Sequence, residues 1–205
     1  MPFKTTAACA VTAALVSAAF LVAGATRLDH HEQDDAQMTD EAKMMQAYAE
    51  AGQPGDMHAM LEHFVGKWDV TAEFEMGGDT MTSNGTSTVV SIYGGRFIRE
   101  TFGGEMMGEA FEGTAVVGYD KVGRKFQSVW FDMMSTAMLF AEGSVSADGK
   151  TMTFTGMGPD PLTGAMKPYM HVSKIIDDNK HVFEMYESGD GGMVKSATMT
   201  YTRAD

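Results

Sequence analysis

Cysteine is nearly missing from this 205-residue chain. The single one, Cys9, lies in an N-terminal stretch with the marks of a signal peptide. Lys4 supplies a short positive region, residues 7–23 form an apolar run, and Ala23-Gly24-Ala25 is the small-x-small pattern of a cleavage site. Thr12, Ser17 and Gly24 interrupt that region, and the run is too short for a comfortable span of about 20 strongly apolar residues. No cysteine follows it, which argues against a lipoprotein anchor. The expected product is an exported protein, periplasmic or secreted, with no stable membrane anchor after cleavage. It has no disulfide, so its core alone must hold it together.

Positive charge is also scarce. Lys and Arg number 15 against 28 Asp and Glu, a formal net charge of −13, and cleavage removes Lys4 but no acid. Such a chain is repelled by nucleic acid and by anionic membrane surfaces. Catalytic signatures are wanting too. There is no P-loop or dinucleotide fingerprint, Ser135 lacks the Gly-x-Ser-x-Gly context, and no cysteine nucleophile survives processing. Glu184 with Glu187, and Asp177 with Asp178, are acid pairs in sequence only. No catalytic residue is therefore named.

What the chain does have is glycine (23), methionine (20) and alternation. Residues 26–38 are polar and acidic and read as a disordered leader. Residues 39–64 read as a short helical segment. Thr39 caps a helix from Asp40 to about Glu50 with Met44, Tyr48 and Ala51 on one face. Gly52 and Pro54-Gly55 end it, and a second helix covers Asp56 to about Phe64.

Over residues 65–205 the period becomes two. Trp68, Val70, Ala72, Phe74 and Met76 alternate with polar partners, and further strands are expected over about 80–93, 96–102, 109–119, 125–132, 136–143, 151–156, 166–176, 181–188 and 194–203. Glycine turns at Gly77-Gly78, Gly94-Gly95, Gly103-Gly104 and Asp148-Gly149 separate several of them. The fold class predicted is all-β: about ten short antiparallel strands in up-and-down order, closed into a barrel so that no edge is left exposed, with two short N-terminal helices. An open or sandwiched sheet is the alternative. A barrel of this strand count has more interior than its own side chains need.

Gly66-Lys67-Trp68 opens the first strand and Arg203 closes the last. This resembles the calycin arrangement of lipocalins, in which Gly-x-Trp places an indole at the closed end and a basic residue packs across it. Gly66, Trp68 and Arg203 are accordingly the expected closure residues. A tighter match runs through Gly94-Gly95-Arg96-Phe97, Phe111-Glu112-Gly113, Gly118-Tyr119-Asp120, residues 130–136, Asp160-Pro161-Leu162-Thr163-Gly164 and residues 181–186. These motifs resemble the exported bacterial family known as domain of unknown function 1579, over Leu61 to Arg203. The resemblance implies a calycin-like barrel and no particular activity; residues 26–60 lie outside it.

The interior of such a barrel suits a small, largely apolar ligand with a few polar anchors. Arg99, which shares a strand face with Phe97 and Thr101, is one candidate. Trp130 with Asp132, and Tyr186 with Glu184, are the others. No cofactor is expected. The alternatives are copper or haem. Soft thioethers suit Cu(I), and Met133, Met134 and Met138, with His58 or His171, would be the donors. Haem-binding calycin relatives, the nitrobindin-like barrels, use one late-strand histidine, and by that resemblance His171 is the axial candidate. Methionine also lines adaptable apolar cavities, which is the reading favoured here. An enzyme using the same cavity is a further alternative.

Overall fold

A computed structural model describes residues 39–106, 108–189 and 191–205. The signal-peptide and acidic-leader readings lie outside these residues. Helix α1 (Asp40–Ala51) is followed by α2 (Asp56–Ala59), which tightens into a 3-10 turn over Met60–Phe64. The sheet is built from β1 (Gly66–Met76), β2 (Asp79–Ile92), β3 (Phe97–Met106), β4 (Glu109–Asp120) and β5 (Lys125–Asp132). It continues through β6 (Leu139–Val145), β7 (Thr151–Pro159), β8 (Met166–Asp177), β9 (Lys180–Gly189) and β10 (Gly192–Arg203). Each strand pairs antiparallel with its sequence neighbours, and β10 returns to β1 from Trp68↔Arg203 to Phe74↔Ala197. The barrel is closed, with ten strands.

Several strand ends differ from the sequence reading; β7, for one, runs past Gly156 to Pro159, which pairs with Met166. β3 continues through Gly103-Gly104 instead of turning there, because these residues pair with Glu112 and Phe111. The turn falls at Gly108, which has a positive φ of 83°. β6 starts at Leu139 and not at Thr136. The Asp132 carboxylate accepts the backbone N–H groups of Met134 (2.9 Å) and Ser135 (3.1 Å), and Ser135 Oγ accepts that of Ala137 (3.0 Å). Side-chain acceptors thus hold this segment in a turn.

Alternation sends Trp68, Val70 and Ala72 of β1 inward to meet Val89, Ile98, Phe102, Phe111, Phe126, Met152, Phe154 and Tyr201, all buried. Each large apolar side chain buried in this way contributes roughly 1.5–3 kcal/mol. Glycines make room for the rings. A Cβ on Gly113 would collide with the Trp130 indole, one on Gly143 with the Phe154 ring, and one on Gly85 with Phe102. Rings lie flat across neighbouring strands where a side chain is missing.

The helical segment divides in two. Leu61 (1% exposed) and Phe64 plug one end of the barrel. Helix α1 has no buried residue, and Met44, Met45 and Tyr48 are exposed. The Lys121 ammonium tethers the end of this segment, donating to the carbonyls of Glu50 (2.7 Å) and Gln53 (3.1 Å). No described helix is long and apolar enough to cross a membrane.

Candidate functional site

One end of the barrel is sealed by an interlocked set. The Arg203 guanidinium lies 4.2 Å from the centre of the Trp68 ring. It donates to the carbonyls of Asp178 (3.0 Å), Val65 (3.1 Å) and His63 (3.3 Å), and the Trp68 indole N–H donates to Phe64 O (2.8 Å). Gly66, at φ 144°, lies so close under the guanidinium that a Cβ there would strike it. The stacked cation and its fork of donors satisfy carbonyls that the end of a barrel leaves open.

Above this floor is a cavity of about 320 Å³, within the size range of small-molecule sites. Its wall is mostly apolar: Phe74, Phe102, Phe111, Trp130, Phe154 and Phe183, with Met106, Met134, Met152, Met185 and Met199. Phe102 meets Phe111 edge-on at 5.9 Å, and Phe111 stacks with Trp130 at 6.4 Å.

The polar groups are few. At the floor, Glu100 Oε1 accepts the hydroxyls of Ser87 (2.7 Å) and Tyr201 (3.2 Å). Burial raises the Glu100 carboxyl above the usual carboxylate range, opposed by those two hydrogen bonds. Burial, the Glu100 charge and their hydrogen bond together push the Tyr201 phenol well up. His181 stacks on Tyr201 at 4.3 Å, and burial lowers its pKa to about 3, helped by His63 and Arg203. Its Nδ1 is buried without a hydrogen-bond partner. His171, on the wall between the Tyr169 and Phe183 rings, is lowered to about 4 by burial. Both imidazoles are neutral at pH 7. Nearer the mouth, the Trp130 indole N–H donates to Asp132 Oδ2 at 2.7 Å. No lysine or arginine is among the described lining residues.

The four candidate anchors therefore separate. Trp130 and Asp132 line the cavity. Arg99 and Tyr186 do not; they lie on the outer wall. For Arg99 the error is one of parity. Phe97 lends the face it shares with Arg99 an apolar look, but it packs over Gly118 on the outside, and Ile98, Glu100 and Phe102 face in. A one-residue slip exchanges every side chain between the two faces. In β9, His181, Phe183 and Met185 face in, which leaves Glu184 and Tyr186 outside. There the Tyr186 hydroxyl donates to Glu184 (2.9 Å), and Lys174 pairs with the same carboxylate (2.7 Å).

The copper donors are not assembled either. His58 sits at the sealed end, its Nδ1 accepting the Gly55 N–H at 3.1 Å and its ring edge-on to Tyr119. Met133, Met134 and Met138 are exposed at the opposite end of β5. Of that set only Met134 and His171 line the cavity. Among the described residues no group of three His, Cys, Asp or Glu could hold a metal ion.

The sequence reading did not single out Glu100, Ser87 or Tyr201. Their signal was there: Glu100 lies between Ile98 and Phe102 at period two, so an acid holds an apolar position.

The model of a family described as "Protein of unknown function (DUF1579)" matches residues 53–203. The chain belongs to the DUF1579 family. The match begins at residue 53, so the plug over α2 and the 3-10 turn is part of the DUF1579 segment; the sequence reading had started the resemblance at Leu61. Among solved structures, the DUF1579 chain resembles the crystal structure of Rv2717c from M. tuberculosis, with TM-score 0.57 and 12% identity over 75% of this chain and 100% of that chain. A redesigned beta barrel, b11L5F_LGL, aligns at TM-score 0.38 and 15% identity over 72% of this chain and 95% of that one. The first likeness agrees with the barrel fold. No curated protein matches.

Proposed function

We propose that this DUF1579 member is an exported binding protein that holds a small, largely apolar molecule inside its barrel. The observation that carries the reading is the cavity of about 320 Å³ in the middle of the core, walled by aromatic and methionine side chains. Cores otherwise pack to crystal-like density with few voids larger than water. Trp130 and Asp132 orient the ligand near the mouth, while Gly66, Trp68 and Arg203 seal the other end. Export rests on the N-terminal pattern of Lys4, the apolar run and Ala23-Gly24-Ala25.

Native mass spectrometry of the protein, purified gently from its exporting host, is the test. A mass excess on the order of a few hundred daltons, lost on denaturation, is expected. An increment of about 63 daltons, the mass of one copper ion, would overturn the apolar-ligand reading in favour of the methionines. A haem-sized increment with a Soret band would do so in favour of His171. Turnover of a soluble substrate, lost in Trp130→Ala, would replace binding with catalysis. A clean apo mass that persists after incubation with apolar probes would leave a barrel that binds nothing.

A further inference from the structure

The charged groups that line the cavity are carboxylates; no lysine or arginine is among its described lining residues, and the nearest guanidinium, Arg203, lies beneath the floor, stacked on Trp68 and acting on His181 from there. Glu100 Oε1 takes two hydroxyl donors, from Ser87 and Tyr201. His181 is 6% exposed, lines the same cavity, and leaves Nδ1 without a partner. A neutral imidazole keeps one acceptor nitrogen whichever tautomer it adopts. The two residues meet the same Tyr201, Glu100 through its hydroxyl and His181 by stacking, so the carboxyl and the unpartnered imidazole nitrogen share one floor. Toward the mouth a further carboxylate, Asp132, lines the cavity beside Trp130, which stacks with Phe111.

A ligand with an anionic head finds no counter-charge here, and burying an unpaired carboxylate is costly. A ligand with a cationic head finds a carboxylate, a free imidazole nitrogen and aromatic faces, which attract ammonium groups. The acidic chain as a whole also concentrates cations around it.

We propose that the molecule held in the barrel is an organic cation, an apolar body carrying a protonated amine, with its ammonium seated against Glu100 and His181. This rests on the cavity being a ligand site. Burial favours the neutral Glu100 carboxyl in the empty barrel. Where that form is present, the ammonium takes the proton's place as counter-ion and the proton leaves to solvent. The ion pair then carries two hydroxyl donors on its carboxylate, as a buried charge requires.

The test compares three probes of equal chain length, decylamine, decanol and decanoate. Each is titrated into the purified protein by calorimetry below its micellar concentration at pH 7. Decylamine is expected to bind one site about tenfold or more tighter than decanol, with decanoate weakest. Glu100→Gln should weaken decylamine about thirtyfold and leave decanol within about twofold. Glu73→Gln, which removes the same charge from the exposed wall, should change neither. Decanoate binding as tightly as decylamine in the unmodified protein would overturn the proposal. So would a decylamine loss in Glu73→Gln equal to that in Glu100→Gln. In both cases decanol binding preserves the cavity reading. A protein that takes none of the three probes overturns both.

Discussion

Tyr201 donates its hydroxyl to Glu100 at 3.2 Å, joining two residues 101 positions apart on strands separated by β1 and β2. With Ser87 this bond sets a buried carboxyl on the floor of a mostly apolar cavity. Its protonation is coupled to the stability of the whole barrel.

Glu100→Gln should therefore raise stability at alkaline pH. The folded state holds the proton above the carboxyl's unfolded value, so its contribution is full at low pH and falls as pH rises through the raised folded value. Glutamine keeps an acceptor for Ser87 and Tyr201 and has no charge to form. Urea unfolding from pH 4 to 9 should show the variant's advantage growing with pH and vanishing near pH 4. An advantage independent of pH would contradict a buried ionisation.

Histidine acts in the opposite direction. His181 and His171, lowered to about 3 and about 4, are stabilising in their neutral form above pH 6.5 and lose that contribution as acid protonates the unfolded chain first. At pH 5 the loss is up to about 2 kcal/mol for each. Glu100, whose raised carboxyl takes up its proton in the folded state first, opposes this, but one carboxyl is set against two imidazoles, so the net effect of acidification is destabilising. His181→Phe should flatten the acid limb of the unfolding profile by roughly half.

Arg203→Ala should cost about 3 kcal/mol in urea unfolding, because it strips the Trp68 face and leaves three carbonyls without a donor. Arg203→Lys should recover less than half of that. An ammonium cannot stack on the indole and fork to carbonyls at the same time.

Gly113→Ala tests the mouth. The added methyl must displace the Trp130 indole, at a cost of about 1–3 kcal/mol. A shift in tryptophan emission and faster loss of the native ligand are expected, with the β-rich circular dichroism retained.

Trp130→Ala should lower ligand retention in native mass spectrometry, and Arg99→Ala should leave it unchanged. Both residues were anchors on the sequence reading, but the wall stands between Arg99 and the cavity. Equal losses in the two variants would return Arg99 to the site.

The difference between Trp130 and Arg99 shows what alternation can and cannot say. Period two sorts β3 into two sets but does not name the inner one. Phe97 made the wrong set look apolar, because its ring is accommodated outside by Gly118 on the neighbouring strand, 21 residues further along the chain. Asp132 hid the start of β6 in a similar way, since carboxylate bonds to Met134 and Ser135 do not follow from β propensity.

The strand count, the up-and-down order and the pairing of Gly66-Lys67-Trp68 with a closing Arg203 come from the sequence by itself. They depend on local alternation, turn residues and recognisable motifs. The tertiary structure alone decided which polar groups face the cavity. Closing β10 on β1 fixes the register around the whole ring, and only then do Glu100, Tyr201 and His181 meet on one floor.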